Sequence, residues 1–190
     1  MIAFVRHGQT ALNREGRLQG RIDAPLSEVG LEQAAALGRA FAHAEIAGVV
    51  TSPLRRASAT AAAIAARHDL DVDIDDRLIE LDYGEWDGIA LGEVPAAQWA
   101  AWREDPAFAP PGGERLVDVT KRIAAFLDDT NTDDLTIAVT HVSPIKAAIC
   151  LALGVDERAS WRMHLDVAAI SRVGRRPDGG HYLASFNERA

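Results

Sequence analysis

Three short, predominantly apolar runs constrain the fold most strongly, because each ends abruptly at a polar cluster. The runs cover residues 2–5, 48–51 and 135–140, and the next residue is arginine, serine or histidine. Runs of this kind are typical of strands that are buried on both faces of a parallel sheet. Helical patterns lie between them, so we predict an α/β fold: a three-layer α/β/α sandwich with a mainly parallel central sheet.

The remaining chain supports one domain with one irregular segment. Capping residues and periodicity predict helices at about 27–41, 53–67, 116–128 and 144–153, and further strands at 72–74, 167–173 and 181–186. Residues 84–113 are rich in proline, glycine and tryptophan, with room for one short helix at about 96–103. Such segments often form lids or specificity loops. We therefore predict a single domain, 1–190, with a lid-like excursion across the surface at about 84–113.

The polar clusters after the three runs are expected to meet in space. His7 follows the first run, Arg56 lies shortly after the second, and His141 follows the third. The carboxyl ends of parallel strands share one edge of a sheet, and ligands bind just beyond that edge. These three side chains should therefore line one crevice, although they are far apart in sequence.

The composition limits the classes of partner and the location. The net charge is −8, whereas nucleic-acid-binding surfaces are basic, so no nucleic-acid partner is predicted. No apolar stretch approaches the roughly 18 residues of a membrane span, and no leader pattern is visible, so we predict a cytoplasmic protein without a membrane partner. The single cysteine, Cys150, excludes an internal disulfide and lies in an apolar helical pattern, which predicts a core position.

Five motifs occur in a fixed order along the chain. They are Arg6-His7-Gly8-Gln9-Thr10 with the downstream Asn13, Arg17 and Gln19-Gly20, then Thr51-Ser52-Pro53-Leu54-Arg55-Arg56, Leu78-Ile79-Glu80 before Tyr83-Gly84, Pro111-Gly112-Gly113-Glu114, and Val139-Thr140-His141. Together they resemble the histidine phosphatase superfamily, also called the phosphoglycerate mutase-like family. The resemblance covers most of the chain.

This resemblance implies a nucleophilic histidine and a set of phosphate ligands. His7 is expected to attack phosphorus as a neutral imidazole and to form a phosphohistidine, with its pKa lowered by nearby guanidinium groups. Arg6 and Arg56 would bind phosphate oxygens in bidentate fashion. The complete predicted set of phosphate-binding and substrate-binding residues is Arg6, Asn13, Gln19, Gly20, Arg56, His141 and Ser143. No metal ion and no cofactor are predicted.

Proton transfer needs a carboxyl group, for which the resemblance favours Glu80. This residue would protonate the leaving alkoxide and later activate water. Three nearby acidic residues are the alternatives, namely Asp82, Glu85 and Asp87. An aspartate directly after the second histidine would be another route, but Val142 and Ser143 occupy those positions.

The chain departs from the family pattern at two places, and its histidines allow two other interpretations. Gln9 replaces the commoner glutamate and is expected to alter the electrostatics of the pocket. Val142 and Ser143 replace the commoner glycine, and Ser143 could cap the next helix and offer its N–H to phosphate. The histidines could instead be structural, or ligands of a metal ion, but the adjacent arginines disfavour a cation site.

The predicted reaction is hydrolysis of a phosphomonoester of a small metabolite. A mutase that moves phosphate within one sugar acid is an alternative, as is an inactive domain that only binds phosphorylated ligands. The length of 190 residues leaves little room for the extra segments of mutases, which favours hydrolysis. The substrate is not specified by these motifs, although residues 84–113 and 17–21 are expected to determine it. A homodimer is a possible assembly.

Overall fold

The computed structural model describes residues 1–190 and contains one mixed sheet flanked by helices. Its strands and α-helices are, in chain order, β1 (Ile2–Arg6), α1 (Ala11–Arg14), α2 (Glu28–Phe41), β2 (Ile46–Thr51), α3 (Arg55–Ala65), β3 (Val72–Ile74), α4 (Ala96–Glu104), α5 (Leu116–Asp129), β4 (Leu135–Thr140), α6 (Val142–Leu153), β5 (Ile170–Arg175) and β6 (His181–Glu188). Short 3-10 helices occupy Asp76–Leu78, Gly84–Trp86, Leu91–Glu93 and Glu157–Arg162. None of the helices combines the length and the apolar character needed to cross a bilayer.

The sheet places the strand ends that carry the motifs side by side. Its order is β3-β2-β4-β1-β5-β6. The strands β1, β2 and β3 run parallel to their neighbours on the β4 side, whereas β5 is antiparallel to both β1 and β6. The prediction of a mainly parallel sheet is confirmed, with the antiparallel pairs confined to one side. As a result β1, β4 and β2 are adjacent and end at the same edge.

Alternating side chains of β1 contribute to two separate cores, one on each face of the sheet. Ile2 and Phe4 belong to the larger core together with residues of α5 and α6. Ala3 and Val5 belong to the smaller core together with residues of α2 and α3. All four β1 side chains are fully buried, as expected for a central strand of a parallel sheet. The predicted three-layer α/β/α sandwich is therefore confirmed.

Two helices begin at positions that differ from the prediction, and both differences lie beside the strand ends. Helix α3 begins at Arg55 rather than at Pro53, because Leu54 is extended and its N–H donates to Ser52 Oγ at 3.3 Å. Helix α6 begins at Val142 rather than near Pro144, with the extended His141 as its N-cap. Pro144 fits within the first turn because that turn needs no N–H at this position.

The irregular segment 84–113 packs into the larger core instead of lying only across the surface. Trp86 and Trp102 are 4% and 3% exposed, and their ring centroids are 5.6 Å apart. The predicted short helix is present as α4. Strand β5 begins at Ile170 rather than 167, since the preceding Ala168 has a positive φ of 55°, which interrupts an extended strand.

Candidate active site

The ends of β1, β2 and β4 carry the central residues of the site. The backbone N–H of His7 donates to the Thr140 carbonyl at 3.0 Å, and that of Ser52 donates to the Val139 carbonyl at 3.0 Å. These hydrogen bonds extend the ladders by one residue beyond the strands. They bring the ring centroids of His7 and His141 to 5.0 Å from each other.

Arg56 is the fully buried centre of this site. Its Nε donates toward His7 Nε2 at 3.3 Å and toward His141 Nδ1 at 3.2 Å. The two terminal nitrogens donate to backbone carbonyls of the segment 19–22, at 2.8 Å to both Ile22 and Gly20. Arg56 is thus directed inward, whereas its neighbour Arg55 is exposed on the same helix. Burial is the main cause that lowers the pKa of Arg56, to about 10, so the guanidinium stays charged near neutral pH.

The hydrogen bonds of His7 define its tautomer. Nδ1 lies 2.7 Å from the carbonyl of Gly8, which can only accept, so Nδ1 carries the proton. Nε2 therefore holds a lone pair, which accepts from Arg56. Burial, followed by the charges of Arg56 and Arg6, lowers the pKa of His7 well below its ordinary value. The geometry thus supports the expected neutral imidazole, with an unprotonated Nε2 that accepts from Arg56.

His141 has both ring nitrogens engaged. Nδ1 accepts from Arg56, so Nε2 carries the proton and donates to Ser52 Oγ at 2.7 Å. Burial, then Arg56 and His7, lower the pKa of His141 well below its ordinary value. In this state His141 orients Arg56 and does not line the cavity described below. Sequence reasoning assigned no role to Ser52; the available signal was a polar residue at a strand end.

A threonine connects the histidine loop to the arginine helix. Thr60 Oγ1 accepts from the N–H of Gly8 at 3.1 Å and donates to the carbonyl of Arg56 at 2.8 Å. The loop also packs closely on α2, since a Cβ placed on Gly8 would lie 2.5 Å from the carbonyl oxygen of Gly30. Only glycine allows this approach. The positions of His7 and Arg56 are therefore linked by buried contacts.

Glu80 is buried at the N-terminus of α6. Oε1 accepts from the N–H groups of Leu81 at 2.8 Å and Ser143 at 3.1 Å, and Oε2 accepts from that of Val142 at 3.0 Å. A helix N-terminus favours an anion at this position. The expectation that the Ser143 side chain caps the helix is wrong, because Ser143 lies inside the first turn. Its N–H, which was expected to face phosphate, is bonded to Glu80.

The three carboxyl groups that were alternatives to Glu80 lie away from the cavity. Asp87 accepts from the backbone N–H groups of residues 20, 21 and 22, at 2.7, 2.7 and 2.8 Å. Asp82 accepts from Gly84 N–H at 2.8 Å, and Glu85 is exposed. None of the three lines the cavity next to His7, whereas Glu80 does.

A cavity of about 300 Å³ opens in front of His7. Among the predicted site residues, the lining includes Arg6, His7, Asn13, Gln19, Glu80 and Ser143. The others, Gly20, Arg56 and His141, lie behind this surface. The lining also contains residues to which sequence reasoning gave no site role, among them Tyr83, Lys146, Cys150 and Trp161. Cys150 is 1% exposed as predicted for a core position, and burial raises its pKa to about 11.

Arg6, Asn13 and Gln19 carry donors next to the cavity. One Arg6 terminal nitrogen donates to the Leu165 carbonyl at 2.6 Å, while its buried Nε has no partner. Asn13 Oδ1 caps α1, and Asn13 Nδ2 lies 3.4 Å from Gln19 Oε1. The buried Nε2 of Gln19 has no partner either.

Gln9 lies outside the cavity lining. Its Oε1 accepts from the hydroxyl of Ser27, the N-cap of α2, at 3.1 Å. The expected effect of Gln9 on the electrostatics of the pocket therefore has no direct contact to support it. No group of three or more His, Cys, Asp and Glu side chains is arranged to hold a metal ion.

The fold and the site define an α/β protein in which two histidines and a buried arginine converge at parallel strand ends, next to a cavity lined by Arg6, His7 and Glu80. The family model described as the histidine phosphatase superfamily (branch 1) matches residues 2–188. The chain belongs to this superfamily, which confirms the resemblance seen in the motifs.

Similar proteins cover nearly the whole chain. A bifunctional protein of Mycobacterium tuberculosis is 37% identical over 194 residues, which is 98% of this chain but only 53% of that protein. The chain thus spans about half the length of this relative. Phosphoserine phosphatase 1 of Hydrogenobacter thermophilus is 34% identical, over 90% of this chain and 85% of that protein. The solved structure of a mycobacterial glucosyl-3-phosphoglycerate phosphatase with VO3 has a TM-score of 0.88 at 30% identity and covers 98% of both chains.

Proposed function

We propose that this chain is a phosphatase that hydrolyses phosphomonoesters of small metabolites through a phosphohistidine at His7. One observation carries the proposal. A buried, neutral His7 lines a cavity together with Glu80, and its Nε2 lone pair accepts from the fully buried Arg56 behind the cavity surface. The names of the relatives support phosphorylated small metabolites as the substrate class.

In the first step the phosphoryl group of the substrate moves to His7. Its oxygens bind Arg6 and Arg56, which frees His7 Nε2 from its hydrogen bond to Arg56 Nε. The P–N bond then forms as the ester P–O bond breaks, and a proton that the phosphate ester brings in as its monoanion passes through the Glu80 carboxylate to the leaving alkoxide. Charge on the phosphoryl oxygens is stabilised by the guanidinium groups, and His141 contributes by orienting Arg56.

In the second step water hydrolyses the phosphohistidine. Glu80, again a carboxylate, accepts a proton from the attacking water, the P–N bond breaks, and inorganic phosphate leaves with His7 neutral again. Asn13 and Gln19 would position the substrate through their side-chain amides. The predicted backbone contacts of Gly20 and Ser143 have no free N–H, because these groups donate to Asp87 and Glu80. No step requires a metal ion.

The remaining predictions concern the organisation of the protein. We propose that residues 1–190 act as one domain and that the segment 84–113 forms one wall of the site. A homodimer and a cytoplasmic location stay predictions from the sequence.

The test is a phosphoenzyme experiment with p-nitrophenyl phosphate as a generic substrate. The wild-type protein should turn over in excess EDTA and should form an acid-labile phosphoenzyme, whereas His7→Ala should do neither. His43→Ala, which alters an exposed histidine, serves as the matched control and should behave like the wild type. A labelled phosphoenzyme in His7→Ala would refute the nucleophile, and loss of activity in EDTA restored by zinc or magnesium would refute the metal-free mechanism.

The mutase alternative is distinguished in the same preparation. Incubation with 3-phosphoglycerate should release inorganic phosphate without accumulation of the 2-phosphate isomer. Isomerisation faster than phosphate release would show that phosphoryl transfer to a second hydroxyl, rather than to water, is the main reaction.

A further inference from the structure

The backbone segment 19–22 lies between Arg56 and Asp87 and is hydrogen-bonded to both. On one side, Arg56 donates to the carbonyls of residues 19, 20 and 22, at 3.4, 2.8 and 2.8 Å. On the other side, Asp87 Oδ1 accepts from the N–H of residue 20 at 2.7 Å, and Oδ2 accepts from those of residues 21 and 22 at 2.7 and 2.8 Å. The guanidinium and the carboxylate are therefore bound to opposite edges of the same short segment.

Two peptide units of this segment connect the two charged side chains directly. In the unit between Gln19 and Gly20, the C=O accepts from Arg56 and the N–H donates to Asp87. The unit between Gly20 and Arg21 makes the same pair of contacts. The C=O and N–H of a trans peptide point in opposite directions, so the negative end of each unit meets the guanidinium and the positive end meets the carboxylate. Hydrogen bonds in such a chain polarise and strengthen one another.

Arg56 obtains compensation for its buried charge through this arrangement. Its guanidinium is fully buried, and its hydrogen-bond partners are two imidazoles and three backbone carbonyls, with no carboxylate among them. A buried cation is unfavourable without compensation. Burial lowers the pKa of Arg56 to about 10, whereas the charges of Glu80, Asp23 and Asp87 oppose this change. Of the three carboxylates, Asp87 is the one that binds the peptide units that hold the guanidinium.

Further backbone contacts hold the segment in place independently of the carboxylate. The N–H of Gly88 donates to the carbonyl of Leu18, and the N–H of Leu18 donates to the carbonyl of Ile89, both at 2.9 Å. Loss of the Asp87 carboxylate should therefore change the direction of the carbonyls that bind Arg56, while the segment stays attached to its neighbours.

We infer that Asp87 is a positioning residue for catalysis, which fixes the plane of the Arg56 guanidinium through the segment 19–22. The donor at His7 Nε2 is fixed with it, because that donor is Arg56 Nε. The inference rests on the proposed phosphatase function, which assigns Arg56 to the phosphoryl group. It also gives the wall segment 84–113 a part in the chemistry, since Asp87 belongs to that segment and does not line the cavity.

The experiment is a double-mutant cycle of Asp87→Asn and Arg56→Lys with p-nitrophenyl phosphate as the substrate. Asparagine retains one acceptor oxygen and no charge, so it cannot match all three N–H groups of the segment. In the wild-type background, Asp87→Asn should lower kcat/KM by about tenfold or more, as expected within one hydrogen-bond network. In the Arg56→Lys background, which already lacks the planar set of donors, the same change should cost less than about threefold.

A spectroscopic measurement reports the alignment of Arg56 itself. In the folded wild type, the nitrogen-15 resonance of the unprotonated His7 Nε2 reflects the hydrogen bond from Arg56 Nε. Asp87→Asn should move this resonance downfield, because that hydrogen bond weakens. Asp82→Asn is the matched control, since Asp82 lies nearby in sequence but accepts from the N–H of Gly84. It should leave the resonance and kcat/KM unchanged.

Three results would overturn the role of Asp87: wild-type activity of Asp87→Asn, equal losses in the two backgrounds, or an unchanged His7 resonance. If circular dichroism shows that Asp87→Asn does not fold, Asp87→Ser, which keeps one acceptor without added bulk, takes its place in the cycle with the same expected factors. The proposed function would survive each of the three results, because it depends on p-nitrophenyl phosphate hydrolysis by the wild type. Absence of that activity would refute the proposed function itself.

Discussion

Two neutral, buried histidines should make the stability of the protein depend on pH in a way that can be calculated. His7 and His141 are 3% and 0% exposed, and burial together with Arg56 lowers the pKa of each well below the ordinary value. The unfolded chain binds a proton at each histidine as the pH falls through about 6.5, whereas the folded chain does not. Stability is therefore fully present above this range and is lost as the pH decreases.

The magnitude follows from proton binding to the unfolded chain. Between pH 7.0 and 5.5, one histidine of ordinary pKa stabilises the unfolded state by about 1.3 kcal/mol, so the pair should lower the free energy of unfolding by about 2.5 kcal/mol. In His141→Gln only one of the two remains, and the loss over the same interval should fall to about 1.3 kcal/mol. The half-buried His181, whose pKa is also lowered by burial, contributes equally to both proteins and cancels.

The assay is urea-induced unfolding of the wild type and His141→Gln at pH 7.0 and 5.5. The pH-dependent difference is compared rather than the absolute stability, since the substitution itself removes the hydrogen bond to Ser52. His43→Gln, at an exposed position, is the matched control and should show the full wild-type difference. An equal pH-dependent loss in the wild type and His141→Gln would mean that His141 is protonated in the folded protein, which would refute the electrostatic account of the site.

Three further predictions concern Glu80, Thr60 and Arg56. Glu80→Gln should lower kcat in steady-state assays about 10²–10⁴-fold on alkyl phosphates but much less on aryl phosphates, whose leaving groups need no acid. The control Glu85→Gln should stay near the wild type. An equal loss on both substrate types in Glu80→Gln would assign the acid elsewhere. Thr60→Val leaves the N–H of Gly8 without its partner and should cost about 1–3 kcal/mol of unfolding free energy, measured by denaturation, with no loss contradicting the contact. Arg56→Lys cannot reproduce the planar set of donors and should lower kcat/KM at least tenfold; unchanged kinetics would remove Arg56 from phosphate binding.

The central part of the site could be predicted because its residues lie at strand ends. A buried strand is visible as an apolar run, and the residue after it must point out of the sheet edge. His7, Arg56 and His141 all follow such runs, so their convergence could be predicted from the parallel sheet alone. The choice of Glu80 required the family resemblance, since nothing in the local pattern separates it from Asp82.

The outer wall of the cavity could not be predicted in the same way. Lys146 and Cys150 lie four residues apart on α6, and which face of that helix meets the cavity depends on how it packs on α5 and the 3-10 helix Glu157–Arg162. Trp161 joins the wall through contact with Trp102, at 4.7 Å between ring centroids. Contacts of this kind depend on tertiary packing, which periodicity does not specify. The same packing explains why the segment 84–113 is partly core.

The place of β1 in the sheet has a consequence for synthesis of the protein on the ribosome. Strand β1 pairs only with β4 and β5, and its register with β4 begins at the pair Ile2 and Thr136. The nascent chain must therefore keep this apolar segment unpaired until β4 has left the exit tunnel. Strands β2 and β3 can pair earlier, but neither reaches β1. His7 and His141 consequently meet only after β4 has emerged, so a ribosome-bound fragment that ends before β4 should not contain the paired strand ends of the site.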